Sequence, residues 1–276
     1  MVFYMLALVM SVIFSEVMVS GVLVWLFEYP LLKAFLTSSA VIALYLSFAC
    51  FSRVMSIYMA RSMGMYRDPE REKTVRRIMD KYGLTKCAPE DLDIRIIKDD
   101  TLNAYALWRN IVGVNTGLLD GVPEAEIAAV IGHELGHLRY MDSIYSTCTF
   151  SMLVPAGHAL VFLAMLASIP ICILVSLVAG DASERAAAAV SSAVVTVAVM
   201  LFRLMRIFAM ARSRSCEHRA DLFSASLSPE LREGMLSFLN RIDVHGEPGL
   251  YARLYGTHPS PKKRMQKIKE VLADAC

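Results

Sequence analysis

Between Ser143 and Gly180 the chain carries no Asp, Glu, Lys or Arg. A helix needs about 20 apolar residues to cross a bilayer, so this run alone marks the molecule as a membrane protein. Pro155 and Pro170 fall inside the run and are expected to interrupt it. His158, also inside, is expected to be a hydrogen-bonded interior histidine. Three other stretches are largely apolar: Val2–Phe27, Leu31–Phe51 and Ala186–Phe202. The first is too long, and too poor in basic residues at its start, for a cleaved signal peptide. The short connection Glu28-Tyr29-Pro30 makes the first two a helical hairpin, and Glu16, costly in lipid, should face a neighbouring helix. The 56% hydrophobic content, above the usual roughly 45–50%, is concentrated in these blocks.

Basic residues flank the stretches on one side. Arg53, Arg61, Arg67, Arg71, Lys73, Arg76, Arg77 and Lys81 follow the second, and Arg203, Arg206, Arg212 and Arg214 follow the fourth. Lys/Arg-rich loops stay cytoplasmic. The expectation is therefore a multi-pass plasma (inner) membrane protein with four spans, its polar part and both termini in the cytoplasm. The net charge of +2 gives no reason to expect a nucleic-acid partner; the partner that the apolar stretches imply is the lipid bilayer. Residues 1–52 would hold two spans, 53–142 the first part of a soluble domain, 143–204 two more spans, and 205–276 the rest of that domain. The six cysteines show no C-x-x-C pair, so no disulfide framework is expected and a reducing compartment suits the soluble part.

Within the polar segments, Leu92–Ile96 alternates at period two and reads as a strand. Thr101–Ala106 and Asn110–Val114 look like two more, meeting at a turn. Val75, Ile78, Met79 and Tyr82 recur at helical spacing. Pro123 is placed to open a helix at its first position, with Glu124 and Glu126 in the first turn, and Arg139 and Asp142 should end it. The fold class is α+β: four transmembrane helices and a mainly helical soluble domain with a small sheet.

That last helix contains His133-Glu134-Leu135-Gly136-His137, an H-E-x-x-H pattern. At 3.6 residues per turn the two histidines share one face and can bind a single zinc ion. Glu134 is about 100° round from His133, placed to reach a water rather than the metal. The plainer alternative is an amphipathic helix that merely carries two histidines. A catalytic zinc takes three protein ligands and leaves one position open, and two histidines with one glutamate are a known set. Glu217, in Ser213-Arg214-Ser215-Cys216-Glu217-His218-Arg219-Ala220-Asp221, is the candidate third ligand; His218 is its rival, and a simple charged juxtamembrane helix is the other reading. If this segment is helical, Asp221 lies over the same face as Glu217 and can fix the tautomer of a zinc-bound histidine.

These two elements, H-E-L-G-H and S-R-x-x-E-x-x-A-D, resemble the HtpX-type membrane zinc metalloproteases, in the superfamily that includes the CAAX prenyl proteases. The resemblance covers most of the chain and implies a zincin-like (gluzincin) domain with one zinc per subunit. Asn103-Ala104-Tyr105-Ala106 resembles the family's N-A-F-A element, which implies an edge strand where Asn103 and Ala104 bind substrate backbone. Thr257-His258-Pro259 resembles its H-P motif, and His258 could stabilise an oxyanion or regulate access. Cys216 stands where the family usually has arginine, and His218 where an aromatic is common.

The expected chemistry is endopeptidase hydrolysis of unfolded or membrane proteins, as in quality control and the stress response. Zinc would acidify a water and Glu134 would act as general base. An intramembrane protease is disfavoured because Glu124, Glu126, Arg139 and Asp142 flank the motif. A CAAX-type prenyl protease and a non-catalytic zinc-stabilised scaffold are the other readings. Glu134 speaks against the scaffold, since a structural zinc needs a fourth ligand and no base.

Overall fold

The computed structural model describes residues 2–178, 183–243 and 259–273. It divides into two units, Met1–Leu46 with Thr149–Ala211, and Ser47–Cys148 with Arg212–Cys276.

The first unit is helical. Helix α1 (Val2–Phe27) and α2 (Leu31–Phe51) are joined at Pro30, and the long helices α7 (Asp142–Val178) and α8 (Ser183–Leu227) contribute their apolar parts. Among the described residues three stretches are long and apolar enough to cross a membrane: Leu31–Phe48, Gly157–Val175 and Ala188–Ile207. In α1 the apolar stretch Ser15–Phe27 is shorter.

Glu16 does face a neighbouring helix. Its Oε1 accepts from Ser20 on its own helix at 3.3 Å and, across the hairpin, from Ser39 at 3.1 Å and from Ser38. Three hydroxyl donors offset the cost of taking a carboxyl group out of water.

Two expectations for α7 need correction. The helix runs unbroken through Pro155 and Pro170. Each proline forfeits one N–H, and in an apolar helix the flanking hydrogen bonds hold the rod together. His158 is hydrogen-bonded as expected, Nδ1 to the Val154 carbonyl at 2.8 Å, but it is exposed on its helix rather than interior. Its neighbour Gly157 is covered by the Phe202 ring of α8, 2.2 Å from where a Cβ would stand, so the two helices approach closely there.

The second unit surrounds a four-stranded sheet of β1 (Met65–Tyr66), β2 (Asp93–Ile97), β3 (Ala104–Leu107) and β4 (Ile111–Asn115), in the order β1-β2-β4-β3. β2 and β4 are parallel, and β3 runs antiparallel to β4 with Ala104 opposite Val114. β4 is buried along its whole length, as a central strand should be. β3 is left at the edge, with one side of its backbone unpaired within the sheet.

Helix α3 (Arg53–Ser62) precedes the sheet and α4 (Pro69–Lys81) follows β1. Asp68 caps α4 by accepting from the Arg71 N–H at 3.2 Å, with Pro69 at its first turn, a strong start signal. Val75, Ile78 and Met79 bury the face that their spacing predicts. The short helix α5 (Thr116–Gly121) leads into α6 (Glu124–Arg139), which carries the H-E-x-x-H pattern. Pro123 is the N-cap of α6 rather than its first helical residue; its extended ψ of 150° belongs outside the helix.

α6 is buried on nearly every side from Glu126 to Gly136, so its sequence shows no polar face. It packs on β3, α4 and α9 (Pro229–Ile242), which in turn packs on α10 (Pro261–Ala273). Cys148 is disulfide-bonded. The cysteine spacing carries no sign of that bridge.

Candidate metal centre

Gly136 and Gly132 let α8 lie against α6. A Cβ at Gly136 would stand 3.1 Å from the Ala220 Cα and from the Phe223 ring, and one at Gly132 would stand 2.6 Å from the Ser224 hydroxyl. That hydroxyl donates to the Ala129 carbonyl at 2.7 Å. This close approach brings Glu217 over the two histidines.

His133 Nε2 and His137 Nε2 lie 3.1 Å apart. Glu217 reaches them with Oε2 3.5 Å from His133 Nε2 and Oε1 3.4 Å from His137 Nε2. A tetrahedral ion with bonds of about 2.0–2.1 Å needs its donor atoms about 3.3–3.4 Å apart. The three groups therefore fit one small cation, and they are the His/Cys/Asp/Glu group that could hold a metal among the described residues. His218 is not part of it. Its Nδ1 is buried without a hydrogen-bond partner among the described residues, and burial pushes its pKa down.

The far nitrogen of each imidazole meets a carboxylate. His133 Nδ1 lies 2.9 Å from Asp221 Oδ1, and His137 Nδ1 lies 3.0 Å from Asp142 Oδ2. A carboxylate at Nδ1 holds the proton there and turns the Nε2 lone pair towards the shared point.

Asp142 gets there because α6 ends abruptly. Met141 takes a left-handed backbone, φ 54°, and α7 begins at the next residue. Asp142 also accepts from Arg219, whose guanidinium stacks on Tyr140 4.2 Å from the ring centroid.

The charges point the same way. Burial opposes a charged imidazole, yet Asp142 and Glu217 outweigh it and push His137 up to about 10. His133 is raised by Asp221 and Glu217 against the same opposition. Glu134, Glu217, Asp142 and Asp221 face two guanidiniums, Arg219 and Arg264. With neutral imidazoles the cluster carries two negative charges in excess, which a divalent cation would cancel.

A cleft of about 630 Å³ opens over this cluster. His133, Glu134, His137 and Glu217 line it, and so do Asn103, Ala104 and the rest of β3. Asn103 Oδ1 accepts from the Ala104 N–H at 2.9 Å, shaping the turn into the edge strand. His258 lies outside the described residues; Pro259 and Pro261, which flank Ser260 beyond it, line the cleft.

A family model described as Peptidase family M48 matches residues 65–272. The chain belongs to peptidase family M48. Its relatives include a protein named Protease HtpX homolog from Acidiphilium cryptum, 28% identical over 249 residues, 79% of this chain and 79% of that protein. Protease HtpX of Haemophilus influenzae is 26% identical over 261 residues, 85% of this chain and 89% of the relative. The crystal structure of S. mikatae Ste24p aligns with 97% of this chain and 67% of its own at 15% identity and a TM-score of 0.48, too loose a likeness to decide anything further.

In this M48 peptidase two contributors escape sequence reasoning. Asp142 reads as a helix end. Arg264, on α10, gives no signal relative to the histidines at all. Arg264 Nε donates to Asp221 Oδ2 at 2.7 Å, its Nη2 donates to Oδ1, and its Nη1 lies 3.7 Å from Glu217. Burial works against ionised Asp221, but Arg264 holds its carboxyl down at about 2. Arg264→Met would strand that buried carboxylate, at a cost of about 3–5 kcal/mol. It should also weaken metal binding roughly 10–100-fold. Thermal unfolding and chelator competition measure the two effects; an unchanged melting temperature would remove Arg264 from this role.

Proposed function

We propose that the chain is a membrane zinc endopeptidase of the HtpX type, acting on unfolded or membrane polypeptides. The observation that carries this reading is the convergence of His133 Nε2, His137 Nε2 and the Glu217 carboxylate at 3.1–3.5 Å beneath an edge strand. Each imidazole is also backed by its own carboxylate. In this reading His133, His137 and Glu217 hold one zinc ion per chain, and Asp221 and Asp142 orient the two imidazoles. Zinc, rather than a harder cation, suits two imidazoles with a single carboxylate. The arrangement is then that of a gluzincin domain. It is built from residues 53–142 and 205–276, with four spans in 1–52 and 143–204.

A metal held by His133, His137 and Glu217 would supply Lewis acidity, lowering the pKa of water and polarising the scissile carbonyl. Glu134, lining the same cleft, takes a proton from the attacking water and returns it to the departing amine. β3 offers the free side of its backbone, from Asn103 and Ala104 onward, to an extended substrate. Pairing of this kind holds many sequences with little discrimination, as quality control requires. Removing the metal with a chelator should abolish cleavage of an unfolded casein-like substrate, and added zinc should restore it. Activity that survives complete chelation would overturn the proposal.

Basic residues after the second and fourth apolar stretches support a cytoplasmic catalytic domain and termini. A reporter fused after Cys276 should then read as cytoplasmic; an extracytoplasmic signal would reverse the orientation.

A further inference from the structure

The second unit has another cleft, of about 560 Å³, that shares no lining residue with the first. Arg53, Arg109 and Arg139 line it, together with Trp108 and Met141. The three guanidiniums sit on exposed residues, and none makes an ion pair with a described residue; Arg139 only overhangs the Phe223 ring at 5.8 Å. The adjoining cleft, which shares Arg53, is different. There Arg67 and Arg95 are answered by Asp93, and Arg76 by Glu72. The arginine-lined cleft sets one carboxylate, Asp91, against its three guanidiniums. The cleft therefore keeps an uncompensated positive charge.

Trp108 adds an independent sign. Its side chain is buried, 5% exposed, and its indole N–H has no acceptor among the described residues. A buried donor seldom goes without a partner in a folded protein. Its backbone is left-handed at φ 54°, as is that of Met141 on the same wall. Such conformations in bulky residues persist where the surroundings impose them, commonly at binding sites. Chain position supplies the setting. Arg53 follows the apolar stretch Leu31–Phe48 by a few residues, and Met141 directly precedes α7, which contains Gly157–Val175.

We propose that this cleft binds the phosphate of an anionic phospholipid headgroup. The three arginines would meet the phosphate oxygens, for which the guanidinium fork is suited. Binding would turn the Trp108 side chain, which lines the cleft, so that its buried N–H reaches a phosphate oxygen, as tryptophan does at membrane interfaces. The recognised chemistry is a phosphate group, which a free anion also carries; the test separates the two.

The chain has two tryptophans, so Trp25→Phe leaves Trp108 as the single indole reporter. The full-length variant in a neutral detergent is titrated with short-chain phosphatidylglycerol, with phosphatidylcholine of equal chain length, and with inorganic phosphate. Phosphatidylglycerol should shift Trp108 emission saturably, at least about tenfold more tightly than phosphatidylcholine, with no saturation by inorganic phosphate. Adding Arg53→Gln, Arg109→Gln and Arg139→Gln should weaken that response by roughly 100-fold, at about fivefold for each charge. These side chains are exposed, and an unchanged melting temperature verifies the fold of the variant. No shift with phosphatidylglycerol, equal affinity for phosphatidylcholine, an equal response to inorganic phosphate, or a response that survives the triple substitution would each overturn the lipid site.

Discussion

Glu134→Gln should leave the metal bound and reduce peptide hydrolysis by roughly 10²–10⁴-fold, the usual contribution of a positioned general base. The amide keeps the shape of the carboxyl group, so the packing of buried Glu134 survives. What is lost is the capacity to take a proton from water. Glu134 lies one residue from His133 on α6 and lines the cleft, but it is not among the converging metal-binding atoms. Metal content should therefore stay at the wild-type level while turnover falls and substrate affinity changes little. If purified Glu134→Gln protein cleaves an unfolded substrate as fast as wild type, Glu134 is not the base.

Glu217→Ala should do the opposite and strip the site. Two imidazoles on one helix face would remain, without the carboxylate that closes the triangle at 3.4 and 3.5 Å. Even an outer partner of a zinc ligand is worth about 10–100-fold in affinity, and a direct ligand is worth more. Loss of Glu217 also removes one of the carboxylates that attract a cation to this point. The fold should persist, because the α6–α8 contact through Gly132, Gly136, Ala220 and Ser224 does not involve Glu217. Elemental analysis after dialysis should find little zinc in a protein with a normal circular dichroism spectrum. Full occupancy would move the third ligand elsewhere.

How much of this could be read from residues alone follows the range of the interactions. The H-E-x-x-H helix is local: two histidines at i and i+4 share a face whatever surrounds them. The three strands are also local, and β2, β3 and β4 lie within a few residues of the stretches read as strands, of which Leu92–Ile96 alternates at period two. Glu217 could be chosen by chemistry, since a third ligand was needed, but not by spacing, because two apolar stretches separate it from the histidines.

Asp142 and Arg264 were out of reach for a different reason. Asp142 meets His137 only because Met141 turns the chain through a left-handed conformation. Arg264 meets Asp221 only because α10 packs on α9, which in turn packs on α6. Pro155 and Pro170 misled because proline is a weaker breaker where the rest of the helix has no water to bond with. The free indole of Trp108 and the arginines around it likewise become a cluster only after Arg53 and Arg139, far apart in sequence, are folded together.

The measurement that bears most directly on the centre is the X-ray absorption spectrum at the zinc edge of full-length protein purified in detergent without added metal. The account predicts one zinc per chain in a four-coordinate shell of nitrogen and oxygen scatterers only: two imidazoles, one carboxylate and one exchangeable light ligand. A sulfur scatterer, which would implicate Cys216, or a shell closed by a fourth protein side chain would contradict it.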